Sequence, residues 1–227
     1  HERTARVTRL PAAALVALLA ACAGATPQPT GRGALPKYEA KEQTYWTAVG
    51  VEGDTVKALV NEEGMIEVGE RAFSVEPFLR VDDRVFAWSD AAIEASLHDG
   101  DLPIPIVTWR ADGVRLTETV FVAGTPGDSA LYARYQLAND GASPRRVALL
   151  LALRAFQVNP PWQDLNGAGG ASPIREVRRD GRVVWVNGST ALASLTEPDG
   201  LEAGFLEAGA LRYAFELAPG ADREVVL

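Results

Sequence analysis

The stretch Val114-Arg115-Leu116-Thr117-Glu118-Thr119-Val120-Phe121-Val122 decides the fold class. Val114, Leu116, Val120 and Val122 alternate with Arg115, Thr117, Thr119 and Phe121. Successive side chains of a strand point to opposite faces, so this period of two predicts a strand with one buried face. Glu118 falls on the buried side. A carboxylate there is costly unless it is paired or turned outward by a bulge, which makes Glu118 a candidate binding residue. The ordinary alternatives are an edge position or an ion pair with an arginine.

Working outward, the same period recurs in Leu131–Leu137 and in Leu211–Leu217. Turn chemistry separates such runs: Glu52-Gly53-Asp54, Glu63-Gly64, Asp112-Gly113, Asn139-Asp140-Gly141, Asp180-Gly181 and Asp199-Gly200. Asx-Gly pairs tolerate the positive φ that tight hairpins need. The hairpin centred on Asp180-Gly181 is the clearest, and only Ser89–Ser96 hints at a helical turn. About a dozen strands at this spacing predict an all-β sandwich or barrel with antiparallel sheets. Val147–Leu153 is apolar on both faces, so it is expected at the centre of a sheet and covered twice. Its second cover is either a neighbouring domain or a layer of loops.

Composition agrees with a packed core: 47% of the 227 residues are hydrophobic and 23% charged. The net charge of −8 gives no electrostatic footprint for nucleic acid, so no nucleic-acid partner is expected. A single Cys excludes a disulfide scaffold, and two His leave little room for a His-based triad or metal cluster.

Residues 1–21 read as an address rather than structure. Arg3, Arg6 and Arg9 precede an uncharged apolar run from Leu10 to Ala21, which is too short to span a bilayer. The run ends in Leu19-Ala20-Ala21-Cys22, an aliphatic residue, two small residues and the lone Cys. That order is the bacterial lipobox, so Cys22 is the expected lipidation site and the lipid the expected membrane link. Residues 22–44 are then the lipidated Cys and a flexible tether, and 45–227 the sandwich domain. The expected location is the bacterial cell envelope, outside the cytoplasm. The chain opens on His1 and stops inside the strand-like run Arg223-Glu224-Val225-Val226-Leu227, which leads us to expect a fragment whose reading frame continues.

Catalytic signatures are scarce. The chain has no G-x-S-x-G, H-E-x-x-H, P-loop or C-x-x-C, so no catalytic residue, metal ligand or cofactor is assigned. Glu62-Glu63 and Asp82-Asp83 sit in turn-like contexts and read as solvated loops, as does His98. Asn187-Gly188-Ser189 has the form of a glycosylation acceptor but reads as a turn in a bacterial protein. The segment from Phe156 to Gly170 is different, a long Pro- and Gly-punctuated loop directly after the most buried strand. Asn159, Trp162, Gln163 and Asp164 combine a flat apolar face with planar polar groups, as sugar recognition requires, and are the candidate carbohydrate-binding residues. The alternative makes Trp162 a structural plug.

From Ile106-Val107-Thr108-Trp109-Arg110 to Trp162 the chain resembles a known module. The features are a Trp-bearing strand, the Asp112-Gly113 turn and a Thr/Glu-rich strand ending Val120-Phe121-Val122. An aromatic strand ending at Asn139, a Pro144-Arg145 turn and a Leu-rich strand follow. The resemblance is to the N-terminal β-supersandwich domain, of galactose mutarotase-like fold, in bacterial glycoside hydrolases and phosphorylases. It implies a two-sheet supersandwich, a role in carbohydrate metabolism and a following (α/α)6 helical domain that carries the catalytic carboxylates. Free-standing mutarotases of this fold use several His residues and a Glu, and His98 alone does not supply them. The alternatives are a non-catalytic glycan-binding lipoprotein and a structural one.

Overall fold

The computed structural model describes residues 27–69, 72–158, 170–171, 173–188 and 190–227. Cys22 and the expected leader lie outside the described residues, as do Asn159, Trp162, Gln163 and Asp164.

Among the described residues the protein is all-β, with antiparallel pairing throughout and no helix of seven or more residues. One sheet has the order β1-β2-β3-β4-β10-β17-β16, with β5 paired to β4. Its strands are β1 (Trp46–Val49), β2 (Ala58–Asn61), β3 (Ile66–Glu67), β4 (Ser74–Val81), β5 (Arg84–Phe86), β10 (Arg145–Arg154), β16 (Gly200–Glu202) and β17 (Ala210–Leu217). The other, β18-β9-β8-β7-β6, is built from β6 (Ala92–Leu97), β7 (Pro105–Ala111), β8 (Val114–Thr125), β9 (Asp128–Asn139) and β18 (Asp222–Val226). Two small ladders complete the described set. One pairs β11 (Phe156–Gln157) with β12 (Gly170–Ala171); the other joins β13 (Val177–Asp180), β14 (Val183–Val186) and β15 (Thr190–Ala193).

The two large sheets face each other across one apolar cluster. Val75, Leu79, Leu149 and Leu211 come from the first sheet, and Val107, Trp109, Leu116 and Leu137 from the second. The alternating faces of β8 and β9 are therefore what closes the sandwich. Asp112-Gly113 turns β7 into β8 with φ of 48° and 78°, as a two-residue primed turn demands. The Asp180–Val183 hairpin and the Asn187-Gly188 turn also form as expected.

Strand β10 is central and covered on both faces. Val147, Leu149, Leu151 and Leu153 enter the main core. Leu150 and Ala152 enter a second cluster with Phe78, Ala87, Phe205 and Ala210. Phe205 meets Phe78 edge to face at 5.4 Å, so the second cover is a loop of this chain.

Two segments depart from the sequence expectation. Ser89–Ser96 is not a helical turn continuing through eight residues; a 3-10 turn at Trp88–Asp90 gives way to β6. Six residues of β6 pair with β7, and that pairing outweighs a weak local preference. Residues 31–44, read as part of a tether, pack on the sandwich as a strap. Arg154 Nη2 donates to the Ala34 carbonyl at 2.8 Å, and Trp88 Nε1 to that of Leu35 at 2.8 Å. Gly33 is buried beneath them, where a Cβ would lie 2.4 Å from the Cβ of Ala87, so only glycine fits.

Candidate functional site

At one edge the sandwich is open, and two adjoining hollows of about 320 and 250 Å³ form a groove there. Glu62 and Ala95 line both. One wall is the edge strand β6, whose Ile93, Ala95 and Leu97 project to the same side. Trp88 lines one hollow and Tyr45 the other. Tyr45 is 66% exposed, its hydroxyl accepting from Gln43 Nε2 at 3.1 Å.

The polar centre of the groove is a triad. Lys37 Nζ, from the strap, lies 2.6 Å from Glu62 Oε1 and 2.8 Å from Glu63 Oε1. Thr44 Oγ1 donates to Glu63 Oε2. Burial pushes the Glu63 carboxyl above its ordinary range; the Lys37 and Thr44 bonds pull against this, while the Glu62 charge adds to it. Burial pulls the Lys37 ammonium down, but its bonds to the two glutamates outweigh that and hold it above its usual value. The arrangement offers carboxylate acceptors and an ammonium donor beside the exposed ring of Tyr45, with the 8% exposed Trp88, covered by Arg32 at 5.3 Å, behind the other hollow.

The turn that presents these acids is fixed from behind. Asn61 Oδ1 accepts from the backbone N–H of Glu63 at 3.1 Å and of Met65 at 2.7 Å. Trp109 Nε1, inside the core, donates to the Glu63 carbonyl at 3.0 Å, and the Glu62 N–H donates to the Tyr45 carbonyl. Gly64 completes the turn at φ 91°. Here the sequence candidate Glu118 enters. A Cβ on residue 64 would lie 2.3 Å from Glu118 Oε2, so this carboxyl is packed directly against the turn's backbone.

Glu118 is neither re-aimed by a bulge nor paired with an arginine. It sits between the sheets at 2% exposure, and neither carboxyl oxygen has a hydrogen-bond partner. Tyr135, its cross-strand neighbour on β9, is also fully buried, and its hydroxyl faces the carboxyl without closing a well-formed hydrogen bond. Burial drives the Glu118 pKa up to about 8, and the Tyr135 hydroxyl offsets only part of that. Burial thus favours the neutral form of the carboxyl.

The solvated-loop reading of Glu62-Glu63 is thus corrected for Glu63, which is 6% exposed and ion-paired. Asp82 caps its turn by accepting from Arg145, and His98 is an exposed turn residue. Sequence reasoning missed Lys37, Tyr45 and Trp88. The available signal was a pair of acids followed by Gly at a strand turn, with a lone Lys-Tyr pair ending the supposed tether.

The candidate loop is described only at its foot, where Phe156 pairs with Ala171 and Gln157 with Gly170. The Val158 N–H donates to Glu67 Oε2, and Gln157 Nε2 to the Gly69 carbonyl, so the loop springs from the first sheet. Among the described residues no group of three or more His, Cys, Asp and Glu is placed to hold a metal ion. No described helix is long and apolar enough to cross a membrane.

Fold and site together define an all-β antiparallel sandwich with an aromatic-flanked polar groove at its open edge. No protein-family model matches the chain, and no curated protein matches it.

Proposed function

We propose that this chain is the β-sandwich lobe of a lipid-anchored, extracytoplasmic carbohydrate-processing protein, and that it holds glycan in the groove. On this reading Cys22 carries the lipid, and the lobe is a galactose mutarotase-like supersandwich. The bond-breaking residues then belong to a C-terminal helical domain of the same protein. The observation that carries the reading is the Lys37–Glu62–Glu63 triad set in an open groove with Trp88 and Tyr45. Sugars present apolar CH faces and hydroxyls that both donate and accept. The exposed phenol ring of Tyr45 matches the first, and paired carboxylates beside an ammonium match the second.

Tyr45→Ala and Glu62→Gln test this without touching the buried core. The wild-type chain is expected to bind neutral oligosaccharides on a glycan array. Each variant should weaken that binding about tenfold, the value of one or two lost polar or stacking contacts, with an unchanged melting temperature. Absence of any glycan ligand, or binding indifferent to both variants, overturns the proposal. For the anchor, labelled palmitate should enter the wild-type chain expressed in a bacterium and not Cys22→Ser; equal labelling removes that part.

A further inference from the structure

A second cleft, of about 550 Å³, opens at the foot of the 156–171 loop on the far side of β10. Its lining is mostly apolar, with Leu35, Leu153, Phe156, Ile174 and Leu206. One polar residue is built into this wall with unusual care. Arg154 ends β10 at 4% exposure, stacked over Phe156 with its guanidinium carbon 5.0 Å from the ring centroid. Its Nε lies 3.3 Å from Glu76 Oε2, and its Nη2 donates to the Ala34 carbonyl. Its Nη1 has no partner at all. A buried guanidinium N–H without an acceptor is expensive and leaves a bond for another group to take.

Glu76 does not neutralise Arg154 fully. Burial raises the Glu76 pKa to about 7 against the pull of Arg154, so the pair is held less firmly than an exposed carboxylate would hold it. A second feature of the same cleft points the same way. Leu206 and Glu207, on the opposite wall, hold consecutive positive φ values of 45° and 76°, a conformation costly for side chains of this size. Strain of that kind persists where a site requires it.

We infer that this cleft binds an apolar carboxylate, its acid group accepting from Arg154 Nη1 and its hydrocarbon body lying along Phe156, Ile174 and Leu206. Nη1 is sealed in the free protein, so entry displaces the strap at Ala34–Leu35, whose carbonyls are held by Arg154 and Trp88. Glu207 is exposed on the cleft rim and repels the incoming acid. The inference does not rest on the glycan reading, although the strap it displaces also carries Lys37 of the groove.

The test is calorimetric titration of the full chain with decanoate below its micellar concentration, with decanol and decylammonium as controls. Decanoate should bind saturably and at least about tenfold more tightly than decanol, the scale of one charge-assisted bond. Ala208→Trp, which fills the cleft and leaves Arg154 in place, should abolish binding. Glu207→Gln should strengthen it severalfold, and Arg154→Gln should remove the preference for the acid. Should Arg154→Gln fail to fold, the Ala208 and Glu207 variants still decide. Hydrogen exchange should rise in residues 34–38 on binding. Equal affinity for decanol or decylammonium, binding retained in Ala208→Trp, or no binding of decanoate overturns the inference.

Discussion

Asn139 and Glu118 lie on adjacent strands of one ladder, at 0% and 2% exposure. Asn139 is satisfied on every side. Its Nδ2 donates to the carbonyls of Ser143 and Leu217 at 2.8 and 2.9 Å, and its Oδ1 accepts from the Gly141 N–H at 3.0 Å. One side chain thereby ties the β9–β10 turn to the end of β17 and fixes which sheet the chain enters next. Glu118 has only the Tyr135 hydroxyl beside it, in poor geometry, and burial favours its protonated form. The contrast teaches that burial alone does not define a role. A saturated buried amide specifies topology, whereas a bare buried acid lowers stability and is retained for what it supports. Here that is the Gly64 turn that presents Glu62 and Glu63.

The largest effect should come from breaking the satisfied member. Asn139→Ala strands the buried Leu217 carbonyl and frees the half-buried Gly141 N–H and the Ser143 carbonyl of the turn, and about 3 kcal/mol of unfolding free energy should be lost in urea titration. Gly64→Ala comes next. Its Cβ would overlap Glu118 Oε2 and its φ is left-handed, so a loss of about 2–3 kcal/mol is expected, together with glycan binding. Repeating it in a Glu118→Ala background should recover the steric part and leave the φ penalty, a coupling that a double-mutant cycle measures.

Removing the bare acid should work in the opposite direction. The ordinary Glu pKa is 4.5, and Glu118 titrates near 8 when folded, so between those values the folded state holds a proton that the unfolded chain has released. Stability therefore falls as pH rises across that window, and the full penalty stands above pH 8. Glu76, raised to about 7, adds a component of the same sign that is complete above pH 7. Glu118→Leu should raise stability at pH 8 by roughly 2 kcal/mol, little at pH 4, and flatten the pH profile between. A profile unchanged by this variant would refute the stored proton. The smallest effect belongs to Asp140→Asn. The partner Arg115 is part-exposed, so the change should stay within about 0.5 kcal/mol by thermal melting.

Much of this was legible in the chain. Period two located β8, β9 and β17, Asp112-Gly113 placed the β7–β8 hairpin and Asp180-Gly181 the β13–β14 hairpin, and the run Val147–Leu153 announced a strand covered twice. The alternation around Glu118 put its carboxyl in the core, though not without a partner. The groove was not legible. Lys37 and Glu62 lie 25 positions apart, and their meeting depends on a strap, residues 31–44, whose mixed charged and small residues show no periodic apolar pattern. Ser89–Ser96 was misread because an edge strand takes its conformation from its neighbour, which no local window contains. The pairing of β4 with β10 and β17 is equally non-local.

The most direct test is a crystal of the chain grown with the tightest oligosaccharide from the array. The account predicts sugar density in the groove between Trp88 and Tyr45, with a hydroxyl within hydrogen-bonding distance of Glu62 or Lys37. Sugar seated instead at the Arg154 cleft, or on the outer face of the first sheet with the groove empty, would contradict it.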